Sequence, residues 1–157
     1  MQNIAAEIVA LLGSRGETLS VAESFTGGSV ARAIVSVPGA SAVLHEGIVA
    51  YSLQAKTQRL GVKQQTLNTY GAVSRETAQE MARGLIQTGA CTYAVATTGS
   101  AGPTPDGSAP VGTFYIAVAD RTQVAVYAHF AEGNREKITQ EGVNFALSHL
   151  LNKIKNS

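Results

Sequence analysis

Two glycine-rich loops, each placed directly after a short apolar segment, constrain the fold of this chain most strongly. The first loop (23–28, Glu-Ser-Phe-Thr-Gly-Gly) follows residues 18–22, and the second (97–103, Thr-Thr-Gly-Ser-Ala-Gly-Pro) follows residues 92–96. Short apolar, β-branched runs bounded by glycine predict buried strands. In an open α/β sheet, ligands bind in the crevice beyond the carboxyl ends of the strands. The two loops therefore predict one shared binding site.

Helical and strand patterns alternate along most of the chain. Apolar spacing, caps and breaks predict helices over about residues 2–14, from Gly28 to Val37, from Ser52 to Gly61, near 64–70, from Ser74 to Gly89 and over 135–155. Strands are predicted over 18–22, 46–52, 92–96, 112–118 and 123–130, the last two as an antiparallel hairpin. This alternation predicts a single domain over residues 1–157, a three-layer α/β/α sandwich with a mixed β-sheet.

Composition and charge exclude several classes of protein. Hydrophobic residues make up 45% and charged residues 15% of the 157, which is typical of a globular domain. Twelve Lys and Arg against eleven Asp and Glu argue against nucleic acid or an anionic membrane as a partner. Because Cys91 is alone and the three histidines are scattered, we expect neither a disulfide nor a metal site. No apolar run reaches the roughly 20 residues that cross a bilayer, so we expect a cytoplasmic protein.

The first loop offers anion-binding chemistry without a nucleotide fingerprint. Its hydroxyls and backbone N–H groups lie at a helix start, where the helix dipole favours phosphate. The stretch matches neither GxGxxG nor GxxxxGK[ST], so a Rossmann or P-loop site is not supported. From spacing alone, a capped helix after a tight turn is slightly favoured over a ligand-binding loop.

Ser41, Tyr51 and Lys56 lie within a short stretch and are nucleophilic or proton-transferring residue types. No histidine follows the pattern of a GxSxG elbow, so a serine that attacks here needs lysine as its base. Such a lysine must be neutral, which from an ordinary pKa of about 10.4 requires about 4.6 kcal/mol at pH 7, supplied by burial and nearby positive charge. Taken singly, the structural interpretation of each residue is favoured: a core tyrosine, a solvated helical lysine and a serine in a turn.

Six ordered blocks of sequence carry a resemblance to a known family. They are AESFTGG at 22–28, VPGAS at 37–41, AYSLQAK at 50–56, YGAVS at 70–74, TGSAGP at 98–103 and PVGT at 110–113. With them the chain resembles the CinA carboxy-terminal domain family over almost its whole length. Single-domain members are nicotinamide-nucleotide amidases, which convert nicotinamide mononucleotide to nicotinate mononucleotide and ammonia in pyridine-nucleotide salvage. The resemblance implies this activity without a cofactor, and a fold similar to the anticodon-binding-domain type.

The resemblance also implies roles for individual residues. Ser41 would be the nucleophile, Lys56 its base and Tyr51 a hydroxyl that relays or orients, with Ser24 as the rival nucleophile. Substrate binding would fall to Ser24, Thr26, Gly27, Gly28, Thr98, Gly99, Gly102 and, for the phosphate, Arg135. The chemistry would be acyl transfer, with backbone N–H groups of a glycine-rich loop stabilising the oxyanion.

Four positions depart from the common family pattern. Phe25 stands where cysteine is usual, Leu53 where asparagine is usual, Ser100 where isoleucine is usual, and Ala109 where a basic residue often precedes Pro-Val-Gly. None of the four removes a proposed catalytic group, but Phe25 and Ser100 bear on specificity and rate. Two alternatives therefore stay open: a catalytically silent nucleotide-binding or interaction domain, and an amidase of another small amide. Apolar residues on a thinly charged surface also make us expect a homodimer.

Overall fold

The computed structural model describes residues 2–157 and contains, within that range, a five-stranded sheet flanked by helices. The helices are α1 (Gln2–Arg15), α2 (Ser29–Val35), α3 (Leu53–Leu60), α4 (Gln64–Tyr70), α5 (Arg75–Gln87) and α6 (Arg135–Lys155), with a 3₁₀-helix at Ala40–Ala42. The strands are β1 (Leu19–Glu23), β2 (Leu44–Val49), β3 (Tyr93–Gly99), β4 (Thr113–Ala119) and β5 (Val124–Phe130). None of the helices in the described range is long and apolar enough to span a membrane.

The sheet is mixed and has the strand order β2-β1-β3-β4-β5. β1 pairs in parallel with β2 and β3, whereas β4 is antiparallel to both β3 and β5. The predicted hairpin is formed by β4 and β5, with Thr113 opposite Phe130. Because β5 runs in the same direction as the three parallel strands, the carboxyl ends of β1, β2, β3 and β5 all lie at one edge of the sheet.

The two faces of the sheet carry side chains of different size. Toward α1, α2 and α6 the central strands present Leu19, Val21, Tyr93, Val95, Phe114, Ile116 and Val118. Toward α3, α4 and α5 they present Ala22, Ala94, Ala96, Ala117 and Ala119. Helices on both faces confirm the predicted three-layer arrangement, and the row of methyl groups lets α5 lie close to the sheet.

Local signals explain most element boundaries. The Ser52 and Ser74 hydroxyls accept hydrogen bonds from the N–H groups of Ala55 and Thr77, which confirms both predicted N-caps. β2 begins at Leu44, two residues before the predicted start. β3 continues through residues 97–99, predicted as loop, because these residues pair with β4.

Close packing between α3 and α5 gives a stability prediction. A Cβ atom at Gly84 of α5 would overlap the carbonyl oxygen of Leu60, which is backbone and cannot turn aside. We expect Gly84→Ala to lower the free energy of unfolding by roughly 2–3 kcal/mol, measured by urea denaturation. The matched control is Gly13→Ala in α1, where the nearest atom to a Cβ is Val43 Cγ2 at 3.9 Å. That change should be neutral or stabilise by up to about 1 kcal/mol, and equal effects at the two sites would contradict the prediction.

Candidate active site

A pocket of about 280 Å³ opens at the carboxyl edge of the sheet. Its walls are Ser24 and Phe25 after β1, Tyr51 after β2, Gly99 at the end of β3 with most of residues 100–107 after it, and Arg135 at the start of α6. Each wall leaves from the carboxyl end of a strand that runs in the same direction. The two glycine-rich loops thus share one site, as the sequence predicts for an open α/β sheet.

Lys56 lies next to Ser24, and its side chain is almost completely buried, at 1% exposure. The Ser52 cap starts α3 so that Lys56, one turn later, falls on the buried face of the helix. Its Nζ donates to Ser24 Oγ at 3.0 Å and to the carbonyl oxygens of Ala50 at 2.9 Å and Tyr51 at 3.2 Å. A serine hydroxyl and a lysine amine are therefore in direct contact at the pocket.

The surroundings of Lys56 favour its neutral form. Burial lowers the pKa of Lys56 to about 8, although the negative charge of Asp106 opposes the shift. A neutral amine has two N–H donors and one lone pair. With the carbonyls of Ala50 and Tyr51 as acceptors for the two N–H groups, the lone pair is left for the hydroxyl proton of Ser24. The arrangement can thus withdraw a proton from Ser24 Oγ.

Ser24 is positioned by a chain of hydrogen bonds that runs through Thr97 and Thr26 to Glu23. Its N–H donates to Thr97 Oγ1 at 3.3 Å, and Thr97 Oγ1 lies 2.7 Å from Thr26 Oγ1. Thr26 Oγ1 in turn donates to Glu23 Oε1 at 2.6 Å. Because the single hydroxyl proton of Thr26 goes to the carboxylate, Thr97 must be the donor between the two threonines. The chain fixes the backbone of Ser24 against β3.

Glu23 ends this chain as a buried carboxylate, 1% exposed. Besides the Thr26 hydroxyl it accepts the N–H groups of Val30 at 2.9 Å and Ala31 at 3.0 Å, which belong to the first turn of α2. A carboxylate at a helix N-terminus satisfies free donors and interacts favourably with the helix dipole. Sequence reasoning missed Glu23 and Thr97, although an acidic residue at the end of an apolar strand was a visible signal.

Arg135 joins two walls of the pocket. Its Nη2 donates to Tyr51 Oη at 2.8 Å, and its Nη1 donates to the carbonyl oxygen of Gly102. Tyr51 is 56% exposed and lies at the rim. Tyr51 and Gly102 thus hold the guanidinium at the pocket, where it can meet an anionic ligand.

The structure does not bring Ser41 together with Lys56, contrary to the pairing expected from the sequence. Ser41 lies in the 3₁₀-helix before β2 and is exposed to solvent. The six residues of β2, at about 3.3 Å each, place it roughly 20 Å from the carboxyl edge where Lys56 lies. Lys56 contacts the rival candidate Ser24 instead, 32 positions away in sequence.

Some of the other predicted binding residues line the pocket, and the rest do not. Gly99 and Gly102 line the pocket. Thr26 is buried in the hydrogen-bond chain, and Thr98 Oγ1 donates to the carbonyl oxygen of Ala72 at 2.7 Å. Gly27 and Gly28 are not among the pocket residues; both have positive φ angles, 59° and 101°, which shape the turn into α2. Their contribution is to the loop's shape.

Two of the four departures from the family pattern shape the pocket directly. The Phe25 ring packs 5.3 Å from the Phe114 ring and fills space that Cβ atoms at Gly99 and Gly142 would occupy. Ser100 Oγ accepts a hydrogen bond from the N–H of Asp106 at 3.1 Å, which fixes the segment around Asp106 in the pocket wall. By contrast, Leu53 is exposed on α3 and does not line the pocket.

Across residues 2–157, no three His, Cys, Asp or Glu side chains are grouped to hold a metal ion.

The chain is similar in sequence to the CinA C-terminal domain, which matches residues 1–154. A CinA-like protein of Kosmotoga olearia is 46% identical over 143 residues, which cover 89% of this chain and 34% of that protein. The chain spans little more than a third of the length of the curated relatives it matches.

Solved structures are similar over nearly the whole chain. The competence/damage inducible protein CihA from Agrobacterium tumefaciens is 38% identical, with a TM-score of 0.91 over 96% of this chain and 94% of that one. A CinA superfamily protein from Klebsiella pneumoniae 700603 is 30% identical, with a TM-score of 0.94 over 99% and 98% of the two chains. These similarities confirm the mixed α/β fold.

Burial of Lys56 predicts a pH-dependent contribution to stability. Between its ordinary pKa of 10.5 and the folded value of about 8, the unfolded chain binds a proton at Lys56 that the folded protein does not. Stability due to this residue therefore rises with pH across that range. From pH 7 to pH 10, we expect the difference in free energy of unfolding between the parent protein and Lys56→Met to shift by roughly 2–3 kcal/mol in the parent's favour.

Urea denaturation at the two pH values measures this difference. Lys63→Met, at an exposed lysine, is the control for removal of one positive charge. A difference for Lys56→Met that stays constant from pH 7 to pH 10 would mean that the folded protein keeps Lys56 protonated, contrary to the prediction.

Proposed function

The chain belongs to the CinA C-terminal domain family, and from that premise we propose that it is an amidohydrolase that deamidates nicotinamide mononucleotide. The products are nicotinate mononucleotide and ammonia. The observation that carries the proposal is the 3.0 Å contact between Lys56 Nζ and Ser24 Oγ at the pocket. A serine activated by a neutral lysine is a known nucleophile for acyl transfer. The substrate, and its place in pyridine-nucleotide salvage, come from the family resemblance.

In the first half-reaction, Ser24 Oγ attacks the carboxamide carbon while its proton passes to neutral Lys56 Nζ. The protonated lysine then gives that proton to the amide nitrogen, the C–N bond breaks, and ammonia leaves. The product on the protein is a nicotinoyl ester of Ser24. Two backbone carbonyls hold Lys56 Nζ against Ser24 Oγ throughout, so little motion is needed for the transfer.

In the second half-reaction, water attacks the ester carbonyl and Lys56 accepts its proton. The C–O bond to Ser24 breaks, and the proton returns from Lys56 to Ser24 Oγ. One water is consumed and one carboxylic acid is formed, so the lysine and serine end in their starting states. No cofactor is assigned in this sequence of steps.

The oxyanion of each tetrahedral intermediate needs preorganised donors. Among residues 2–157, the backbone N–H groups of Phe25 and Thr26 have no hydrogen-bond acceptor. They follow the nucleophile directly, at the turn before α2, as the N–H after the serine does in a nucleophile elbow. We assign them as the oxyanion donors.

Arg135 is the proposed partner of the nucleotide phosphate. Arginine binds phosphate oxygens in a two-pronged geometry, and a bound phosphate would compete with the present acceptors, Tyr51 Oη and the Gly102 carbonyl oxygen. Tyr51 is therefore assigned an orienting role for Arg135. A cytoplasmic location, the absence of a nucleic-acid partner and a homodimer stay predictions from the sequence.

Serine variants separate the two candidate nucleophiles. We expect Ser24→Ala and Lys56→Ala each to reduce ammonia release from nicotinamide mononucleotide by about 10³-fold or more, because each removes a member of one catalytic pair. Ser41→Ala should retain near-parental turnover, since Ser41 lies at the opposite edge of the sheet. The assay is ammonia release by purified protein in chelator, with circular dichroism to show that each variant is folded.

Three results would count against the proposal. Loss of turnover in Ser41→Ala with activity in Ser24→Ala would restore Ser41 as the nucleophile. Release of ammonia only from other amides would change the substrate. Ligand binding without any turnover in the parent protein would leave a silent binding domain.

The lowered pKa of Lys56 also sets the pH dependence of the reaction. With a pKa of about 8, only about one-tenth of the lysine is neutral at pH 7. We expect kcat/KM to rise with pH and to level off above an apparent pKa near 8, because kcat/KM reports groups of the free enzyme. Initial rates from about pH 6 to pH 9.5 test this, and a profile that is flat across that range would contradict lysine as the base.

A further inference from the structure

The pocket carries one acidic and one basic side chain, counted over the described part of the chain. They are Asp106 in the segment after β3 and Arg135 at the start of α6. Arg135 has acceptors in Gly102 and Tyr51. The Asp106 carboxylate, by contrast, makes no hydrogen bond or ion pair with any of residues 2–157. It is an exposed negative charge on the pocket wall that no side chain of the described residues neutralises by an ion pair.

The position of Asp106 is fixed by its backbone. Its N–H donates to Ser100 Oγ at 3.1 Å, and its carbonyl oxygen accepts the N–H of Ala109 at 3.1 Å. Asp106 and Ala109 also form an isolated antiparallel bridge. The carboxylate is therefore carried by an ordered turn of the pocket wall and not by a free loop end.

Taken by itself, Asp106 works against the proposed chemistry. Its negative charge raises the pKa of Lys56, whereas burial lowers it. A carboxylate in this place makes the amine harder to deprotonate, so its presence calls for a compensating interaction with the ligand. A positive charge on the ligand supplies one, because it neutralises Asp106 and itself disfavours a second positive charge on Lys56.

We propose that Asp106 determines the specificity of the pocket by binding the positive charge of the ligand's ring, while Arg135 takes the anionic end. The inference rests on the proposed function and deepens it: the pocket selects zwitterions, a cationic ring joined to a phosphate, over ligands of the same shape with a neutral ring. Asp106 and Arg135 are the opposite charges that such a ligand requires.

Ligand binding in a Ser24→Ala background tests this without turnover. The two probes are nicotinamide mononucleotide and its 1,4-dihydropyridine form, which has the same phosphate and carboxamide but a neutral ring. Adding Asp106→Asn should weaken binding of the cationic form about fivefold, the size of a partly exposed ion pair. Binding of the neutral form should stay within about twofold. Titration calorimetry measures both affinities.

The salt dependence of binding and a matched charge variant show whether the effect of Asp106→Asn is a local charge interaction. The loss caused by Asp106→Asn should shrink from about 50 mM to about 500 mM salt, since an exposed pair is screened. Glu132→Gln removes one negative charge from an exposed residue that does not line the pocket. It should leave the ratio of the two affinities unchanged, which separates a local effect of Asp106 from a change in net charge.

Each outcome decides between the two proposals. Equal weakening of both probes by Asp106→Asn, or no weakening of either, overturns the role of Asp106, as does failure of Ser24→Ala to bind the cationic probe. If the parent protein releases no ammonia but Asp106→Asn still abolishes the preference for the cationic ring, the proposed reaction fails and the specificity role stands. Turnover in the parent with an unchanged preference in Asp106→Asn overturns the specificity role alone.

Discussion

The carboxylate of Glu23 lies in the interior of the protein and accepts three hydrogen bonds, from the Thr26 hydroxyl and from two N–H groups of α2. A buried carboxylate without such donors would destabilise the fold by several kcal/mol. The turn that follows β1 and the start of α2 follow a path that brings these donors to Glu23. Ser24 lies on that path, and its N–H is joined to the same network through Thr97. The placement of the proposed nucleophile follows from the solvation of a neighbouring charge.

The second half of the site depends on strand pairing. β2 runs parallel to β1, and beyond the end of the strand the N–H of Ala50 donates to the carbonyl oxygen of Glu23 at 2.9 Å. The carbonyl oxygen of Ala50 then accepts from Lys56 Nζ. One continuous set of hydrogen bonds thus runs from the backbone of Glu23 to the amine of Lys56, whose third partner is Ser24. Serine and lysine meet because each follows the carboxyl end of one of two adjacent parallel strands.

The sequence predicted the elements well because apolar periodicity and caps such as Ser52 and Ser74 are local signals. It predicted the wrong pairing at the site because Ser41 is near Lys56 in sequence, whereas Ser24 reaches Lys56 only through the pairing of β1 with β2. Strand order is not contained in periodicity. Asp106 was missed for a related reason, since the place of a residue in a long loop depends on contacts such as that with Ser100. The local sequence also cannot identify a buried lysine, because a buried and a solvated lysine occur in the same sequence patterns.

The reactivity of Lys56 depends on packing that lies away from the pocket. Desolvation is the main cause of its lowered pKa, and Lys56 shares the buried face of α3 with Leu60, which lies against Gly84 of α5. That contact is close because Gly84 lets α5 approach the backbone at Leu60, and because alanines on the sheet let α5 lie low. A wider spacing between the helices would admit water to Lys56 and return its pKa toward the ordinary value. Burying this amine costs stability at neutral pH, and the packing of the rest of the fold, that of α3 and α5 included, offsets the cost. The same contacts that stabilise this layer of the fold therefore increase the neutral fraction of Lys56, the form that can accept the proton of Ser24.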